Sequence, residues 1–434
     1  MRLPVNIFKQ LFEYDLKLDI QNFQFVDKDY PGNILLNGYG YFEYSKSRQI
    51  RFTLYFFPEL GETVIEETIH DYFQNKSKYR IKIVDIAGQN WETELSDTTL
   101  NTNDAPSAIS YISGNCKHLS HIGHSDYKDN DCYISMYFDP KYEFPFNSSD
   151  RRSTQNSKGV TVSDKVTPEI DFDGTNLKVR GGNYGTHINI VFVLPSYTEN
   201  VEFRLLECLR FITGQRIEYT LLEIHTDGDC LSKIFPTDDQ VVSSIYPPIW
   251  IQEYPVEYAT QSWTLCDLMF RHIRELSTKT FSILGTHINA VIGSGPSYFE
   301  SQTLILAVHI EGIIKDFLLD KVEVGQDVIG SAEVYKEAIL KIDPESATEK
   351  RLLDFLTTFP KPSVRQVIEL LISENVLIRK HQKTWTKVRN KYAHPGLKGR
   401  KKSHSNLFNQ YFEILDMYYR VIFYILKYEG GYSD

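Results

Sequence analysis

The sequence predicts an α+β protein of two domains, with a β-rich antiparallel domain of the sandwich or barrel type followed by an all-α helical bundle. In the first half, short strand-like runs alternate with turn residues, whereas from Ser262 onward apolar residues recur at helical spacing. Aromatic residues make up 13% of the chain, which favours a substantial β component.

The length and the proline pattern suggest where the domains divide. A chain of 434 residues can hold two or three domains, each with its own core. Pro247, Pro248 and Pro255 mark the exit from the β-rich part. We therefore expect a sensing or regulatory domain over residues 1–255, a connecting helix and Gly-rich linker over 256–297, and the bundle over 298–434.

Composition limits the cellular setting and the binding partners. No apolar run of signal-peptide or transmembrane length occurs, and five cysteines are scattered along the chain, so we expect a cytoplasmic protein without a membrane partner. The net charge is −10, which excludes a surface that binds nucleic acid everywhere. Any contact with nucleic acid must be local.

In the first half, two strand-like runs, 33–44 and 49–57, flank a turn at 45–48, which predicts a hairpin. Further strands are predicted at 79–86, 108–112, 132–138, 187–194, 216–225 and 240–245. Residues 147–165 are rich in Ser, Asn, Arg, Asp and Thr, which predicts a mobile surface loop. One amphipathic helix is predicted at 199–213, before Gly214.

The second half is helical throughout. Helices are predicted at 263–276, 298–319, 331–342, 348–359 and 363–378, in a basic segment that ends at His394, and at 406–428. The last helix is apolar around most of its circumference, which predicts that it is buried in the bundle or faces a second subunit.

The basic segment spans residues 379–402 and contains ten Lys or Arg and no Asp or Glu. Trp385, Val388 and Tyr392 lie at helical spacing, so one face of it can pack on a core. The helix is expected to stop at His394, because the residue before a proline is biased away from the α region. Asn390 and His394 are four residues apart and share a face, so the amide can orient the imidazole.

Arg389 and His394 suit the cleavage of RNA by its own 2′-hydroxyl. A histidine can take the 2′-OH proton or protonate the leaving 5′-oxygen, and a guanidinium matches the oxygens of the phosphorane. The nucleophile belongs to the substrate, so no cofactor or metal is required for catalysis. One histidine cannot readily make both proton transfers, which favours a homodimer or higher homo-oligomer with two facing motifs.

The Arg-Asn-x-x-x-His motif, placed before a Pro-Gly turn on the third of four helices, resembles the Arg-x(4–6)-His signature of HEPN ribonucleases. That resemblance implies metal-independent cleavage at a site shared between two protomers. It also implies an acidic residue near the arginine and histidine, a position that Glu311 of the predicted 298–319 helix matches. The alternative role for Glu311 is structural, paired with Lys315.

The β-rich part, with its helix that ends in Gly-Gln, is similar to the N-terminal domain of ApeA-type antiphage proteins. This similarity implies a bacterial defence protein that stays idle until phage infection, responds to a trigger such as a phage protein, and then cuts host RNA such as tRNA. From Tyr298 onward the chain has 20 basic and 18 acidic residues, against 27 and 39 before it. The front domain is therefore a poor platform for RNA and a suitable one for a protein signal.

The other cations of the basic segment are predicted to hold RNA phosphates by charge. The residues assigned to this role are Lys387, Lys391, Lys398, Arg400 and Lys401. The competing interpretation is a solvated charged face, in which His394 merely favours the negative end of a helix dipole. The alternative function is a non-catalytic HEPN-like module that binds RNA or nucleotides or dimerises, while the β-rich domain carries the activity.

A second cluster lies in the first half. Cys116, His118, His121, His124 and Cys132 fall within 17 residues, where an even scatter of the chain's Cys and His would place about 0.7. Four such ligands in one loop suit a structural zinc, although the tight spacing means that not all five can bind. The alternative is a His-rich polar loop followed by a strand with a buried Cys132.

Other signatures are missing from the sequence. It has no Walker-type GxxxxGK[ST] motif and no HExxH motif. The separate histidines His187, His225, His272, His287 and His309 are expected to be core or surface residues.

Overall fold

The computed structural model describes residues 3–27, 34–56, 79–101, 109–124, 131–146, 151–155, 161–172, 177–237, 243–249, 255–341, 347–358, 361–393 and 404–430, with only the backbone over 151–177. The chain divides into two compact units that alternate along the sequence. The first comprises Met1–Glu202, Ile217–Val242 and Ile251–Asp267, and the second comprises Phe203–Arg216, Ser243–Trp250 and Leu268–Asp434.

The first unit is β-rich. It begins with helix α1 (Val5–Phe12). Its strands are β1 (Asp15–Asp27), β2 (Ile34–Ser45), β3 (Ile50–Phe56), β4 (Tyr79–Asp85), β5 (Asn90–Asn101), β6 (Ser110–His124), β7 (Cys132–Phe138), β8 (Arg151–Gln155), β9 (Thr161–Phe172), β10 (Leu177–Asn183), β11 (Ile188–Leu194), β12 (Tyr219–Thr226) and β13 (Asp229–Ile234).

Six of these strands form a closed antiparallel barrel. The order is β3-β2-β1-β4-β5-β6, and β3 also pairs with β6, so the sheet has no free edge at that point. Every strand contributes inward-facing apolar side chains because the residues alternate across the pleat. The barrel core includes Phe23, Phe42, Phe52, Ile83, Trp91 and Ile112.

The sheet continues beyond the barrel in the order β6-β13-β12-β7-β11-β10-β9-β8. All seven residues of β7 are buried, so this strand lies in the interior of the unit on both of its faces. β7 pairs with β11 on one side and with β12 on the other.

The predicted mixed α+β class is confirmed. The β-rich part was predicted to be a sandwich or a barrel, and it contains a barrel. The predicted hairpin is confirmed as β2 and β3. The predicted mobile loop at 147–165 is wrong where the structure describes it, because β8 and the start of β9 lie there and pair with each other. Of the predicted strand 240–245, the described part forms only an isolated bridge between Gln215 and Ser244.

The remaining helices have the following bounds. They are α2 (Val201–Thr213), α3 (Pro255–Ile273), α4 (Ile283–Gly293), α5 (Phe299–Phe317), α6 (Gln326–Leu340), α7 (Ala347–Thr358), α8 (Val364–Ser373), α9 (Arg379–Ala393) and α10 (His404–Leu426). In the described part of the chain, no helix is long and apolar enough to cross a membrane.

In the second unit, α5 is the central helix and contacts α4, α8, α9 and α10. Its apolar stripe is fully buried at Leu306, Ile310 and Ile313. The predicted burial of the last helix within the bundle is seen in α10, where Ile414, Val421 and other apolar residues are also fully buried.

Helix α4 forms where the sequence predicted a Gly-rich connection. The Ser282 side chain caps it by accepting a bond from the backbone N–H of Gly285 at 2.8 Å. The carboxylate of Glu207 lies so close that a Cβ added at Gly285 would meet Glu207 Oε2 at 2.1 Å. The glycine therefore serves close packing at this point rather than an open linker.

Glu207 also forms a buried ion pair within this unit. Arg204 Nη1 lies 2.6 Å from Glu207 Oε1, and both side chains are completely enclosed. Arg204 Nη2 donates to the carbonyl of Thr278 at 2.9 Å, and Ser282 Oγ donates to Glu207 at 2.6 Å. Burial raises the pKa of Glu207 even though Ser282 and Arg204 favour its charged form.

We expect Arg204→Met to destabilise the protein by about 3–5 kcal/mol, because Glu207 would be left buried without its cation. The measurement is denaturant unfolding followed by tryptophan fluorescence. The matched control is Arg274→Ala, whose exposed pair with Glu275 should be worth less than about 0.5 kcal/mol. An unfolding midpoint that is equal in the two variants would contradict this account.

Candidate active site

Helix α9, which carries the predicted motif, is anchored at its start to α8. Gln382 Nε2 donates to Glu369 Oε1 at 2.8 Å, and Arg379 forms an ion pair with the same carboxylate. These two hydrogen bonds lower the pKa of Glu369. Helix α8 in turn begins with a capping box between Ser363 and Gln366, which fixes its own first turn.

The apolar face of α9 packs on the bundle as the spacing predicted. Trp385 and Val388 are buried, and the indole Nε1 of Trp385 donates to the backbone carbonyl of Ala307 in α5 at 3.0 Å. A buried indole N–H needs such a partner, so this bond fixes where α9 lies along α5. The side chain of Tyr392, the third predicted member of this face, lies outside the described residues.

Polar contacts join α9 to α10. His381 is buried, and its Nε2 lies 2.9 Å from Asp416 Oδ2. Arg420 Nε donates to the same carboxylate at 2.8 Å. Burial alone would raise the pKa of Asp416, but the bonds from His381 and Arg420 outweigh it and lower the pKa.

The structure brings Arg389 and Glu311 together. Arg389 Nη1 forms an ion pair with Glu311 Oε2, and the guanidinium lies 5.4 Å from the centroid of the Trp385 ring. Lys315 Nζ lies 2.7 Å from the other oxygen of Glu311. The Glu311 side chain is 15% exposed and that of Arg389 is 38% exposed, so the pair lies at the surface of the bundle.

The rest of the predicted site is described only in part. Asn390 is exposed on α9, which ends at Ala393. His394, Lys398, Arg400 and Lys401 lie outside the described residues, as does the side chain of Lys391. Their placement around Arg389 stays a prediction.

Lys387 is described, and it does not lie on the Glu311 side of α9. It is exposed and lines a surface groove together with Arg365 and Ile368 of α8. Helical geometry separates positions 387 and 389 by about 200°, which accounts for their facing different neighbours.

The predicted zinc cluster is distributed over two separated strands. Cys116, His118 and His121 lie on β6, whereas Cys132 begins β7, which pairs with β11 and β12 rather than with β6. The stretch from Cys116 to His124 is therefore a strand and not the predicted loop. The side chain of His124 lies outside the described residues.

The surroundings of these residues differ from one another. Cys116 lies in the barrel core, where burial raises the pKa of its thiol to about 12, and burial likewise raises that of Cys132 to about 12. His121 is buried with its ring 4.9 Å from that of Trp91, and its Nδ1 has no hydrogen-bond partner among the described residues. Among these residues, no three Cys, His, Asp or Glu are arranged to hold a metal ion.

His287 and His309, which the sequence analysis did not connect, form a hydrogen-bonded chain with Asp316 in the second unit. His287 Nδ1 lies 2.8 Å from His309 Nδ1, and His287 Nε2 lies 2.8 Å from Asp316 Oδ2. A Cβ added at Gly312 would meet the His287 ring at 2.4 Å, so the glycine makes room for it. Burial, together with the neighbouring His287, lowers the pKa of His309 to about 4.

Sequence spacing contained a signal for this chain of groups. His309, Gly312 and Asp316 are three and four residues apart, so they lie along one face of α5. What the sequence lacked was the partner, because His287 lies on α4 and reaches this face only after the two helices pack.

A further buried polar cluster lies in the first unit. Glu223 and His225 of β12 alternate on one face and stand opposite Ser232 and Cys230 of β13. Tyr137 donates its hydroxyl to Glu223 at 2.9 Å, and Cys230 Sγ lies 3.7 Å from His225 Nε2. These groups satisfy one another in the interior, as buried polar groups must.

We expect Asp416→Asn to lower the melting temperature at neutral pH. The folded-state pKa of Asp416 is depressed, so its contribution is complete above the ordinary aspartate pKa of about 3.9 and is lost as the pH falls through the folded value. The difference between wild type and variant should therefore shrink in acid. Melting curves from pH 3 to 8 measure it, with the exposed Asp320→Asn as control, and a difference that grows in acid would contradict the assignment.

Comparisons of the chain with protein-family models, with curated proteins and with solved structures find no match in any of the three.

Proposed function

We propose that the protein is a metal-independent endoribonuclease of HEPN type that cleaves RNA through Arg389 and His394. The observation that supports this proposal most directly is the ion pair between Arg389 of α9 and Glu311 of α5. It places the motif arginine beside the acidic residue that the HEPN resemblance implies. It also leaves the guanidinium partly exposed at the surface of the bundle.

The remaining N–H groups of Arg389 can bind a phosphate. Only Nη1 bonds to Glu311, and no other hydrogen bond to this guanidinium forms among the described residues. Its other N–H groups can therefore donate to two oxygens of a phosphorane. Glu311 and the Trp385 ring hold the guanidinium plane in place, so less of its freedom is lost when the substrate binds.

The proposed reaction is an internal transesterification. One histidine takes the 2′-OH proton while O2′ attacks the adjacent phosphorus, and the leaving 5′-oxygen receives a proton as its bond to phosphorus breaks. The products are a 2′,3′-cyclic phosphate and a 5′-hydroxyl. The reaction needs two proton transfers, and in this proposal each is made by His394 of a different copy of the chain, which requires a homodimer. Asn390 orients the His394 imidazole.

The biological setting is proposed from the ApeA-type resemblance. In that setting the protein is cytoplasmic, and its β-rich unit receives a signal such as a phage protein. The nuclease then cuts host RNA, for example tRNA, and stops phage propagation by abortive infection.

One observation favours a second candidate, a non-catalytic HEPN-like module that binds RNA or nucleotides or dimerises. Arg389, Glu311 and Lys315 form a continuous ion-pair chain, which is also what a purely structural contact would require. In that case the function would lie in the β-rich unit.

The nuclease proposal predicts cleavage of labelled tRNA in EDTA by the wild-type protein. Arg389→Ala and His394→Ala should each slow it by at least about 100-fold, because each removes a group that acts in the transition state. Arg389→Lys should not restore it, since an ammonium lacks the planar fork. Products are tested for 2′,3′-cyclic phosphate ends, and the same variants are scored for phage protection in cells, where the trigger is present.

Retained cleavage, or unchanged phage protection, in Arg389→Ala and His394→Ala would sink the assignment of this motif. Cleavage by wild type that requires an added metal ion would contradict the proposed chemistry.

A second prediction separates the two candidates. Glu311→Gln should reduce cleavage by about tenfold because Arg389 loses the contact that positions it, while the free energy of unfolding changes by less than about 1 kcal/mol. Lys315→Ala, which removes the exposed end of the chain of charges, is the control and should cleave normally. If Glu311→Gln and Arg389→Ala shift the unfolding midpoint equally and leave RNA cleavage unchanged, the pair is structural and the second candidate stands.

A further inference from the structure

A surface groove lies between α8 and α9, with a volume of about 490 Å³. Three of its lining residues are cations, namely Arg365 of α8 and Lys383 and Lys387 of α9. Among the residues that the structure describes, no Asp or Glu lines it. It is also lined by Gln382 and Thr386, by Ile368, which is fully buried, and by Trp385, which is 8% exposed.

The lysines of the groove differ from the other cations of α9 whose side chains the structure describes. Arg379 pairs with Glu369, Lys380 pairs with Glu413 at 2.7 Å, and Arg389 pairs with Glu311. In the part of the chain that the structure describes, Lys383 and Lys387 form no ion pair or hydrogen bond. Among the described residues, carboxylates thus neutralise Arg379, Lys380 and Arg389, whereas the two lysines that face the groove have no such partner.

The arrangement fits a strand of nucleic acid. Lys383 and Lys387 are one helical turn apart, about 6 Å along the axis, so they can follow successive phosphates of one strand. Arg365 faces them from α8 and adds a third cation to the same groove. The exposed edge of Trp385 can contact an unstacked base, which a single strand presents and a duplex does not.

We propose that this groove binds a single-stranded segment of RNA, with phosphates on Lys383, Lys387 and Arg365 and a base against the exposed edge of Trp385. The inference rests on the proposed function, because it takes RNA as the substrate. It assigns the substrate a binding site on the side of α9 that faces α8, distinct from the Arg389 and Glu311 pair that faces α5.

The test is binding of the full-length protein to a fluorescein-labelled oligouridylate of about a dozen nucleotides, a length that spans such a groove. All 2′-hydroxyls of the probe are methylated, so it cannot be cleaved and anisotropy reports binding alone. Lys383→Ala/Lys387→Ala should weaken binding by about 10- to 100-fold at low salt and reduce the slope of log K against log salt by about 1.4. Arg365→Ala should weaken it as well, with a slope change of about 0.7.

The matched control is Lys350→Ala/Arg351→Ala, which removes two exposed cations from α7 and should bind as wild type does. Lys383→Arg/Lys387→Arg keeps the charge and should retain binding. Circular dichroism melts confirm that each variant is folded.

The outcomes distinguish the groove from the nuclease. Binding by the groove variants equal to that of wild type, or no binding by wild type, overturns the groove whether or not RNA is cleaved. Polyglutamate that competes as well as unlabelled oligouridylate overturns the RNA assignment in favour of an acidic peptide. RNA binding that is lost in the groove variants supports the groove, and if wild type then cleaves no RNA even in infected cells, only the nuclease proposal fails.

Discussion

The position of the candidate site depends on how α9 docks on α5. The indole of Trp385 donates to the carbonyl of Ala307, and this one directional bond fixes the register of two helices whose apolar surfaces alone would tolerate sliding. Glu311 lies one turn beyond Ala307 on α5, as Arg389 lies one turn beyond Trp385 on α9. The ion pair between them follows from the register that the indole sets.

The same docking sorts the charges of the basic segment. Arg379 pairs with a carboxylate on α8, Lys380 with one on α10 and Arg389 with one on α5. Each cation therefore pairs with the neighbouring helix that its own turn of α9 faces. Two lysines one turn apart face the groove and are left without partners among the described residues. A segment that is uniformly basic in sequence is therefore divided by tertiary structure into docking cations and cations that can meet an anionic ligand.

In the first unit, two residues that are close in sequence lie on strands that are separated in the sheet. Cys116 and Cys132 are close in sequence, but β6 and β7 are separated in the sheet by β13 and β12, which come about a hundred residues later. Strand pairing determines on which strand each described residue of that cluster lies. In the second unit, His287 and His309 are 22 residues apart in sequence, yet a hydrogen bond joins them between α4 and α5.

The sequence by itself determined the α+β class, the β2–β3 hairpin, most helices of the second half and the burial of Trp385 and Val388 on α9, because these depend on local period and turn chemistry. It also singled out Arg389 from the Arg-Asn-x-x-x-His motif and Glu311 from its position on the 298–319 helix, and the structure pairs these two side chains. Only the tertiary structure decided that β3 closes on β6, that α4 forms despite its glycines, and which cation meets which carboxylate. Those outcomes depend on contacts between residues distant in sequence, whose energies no local pattern encodes.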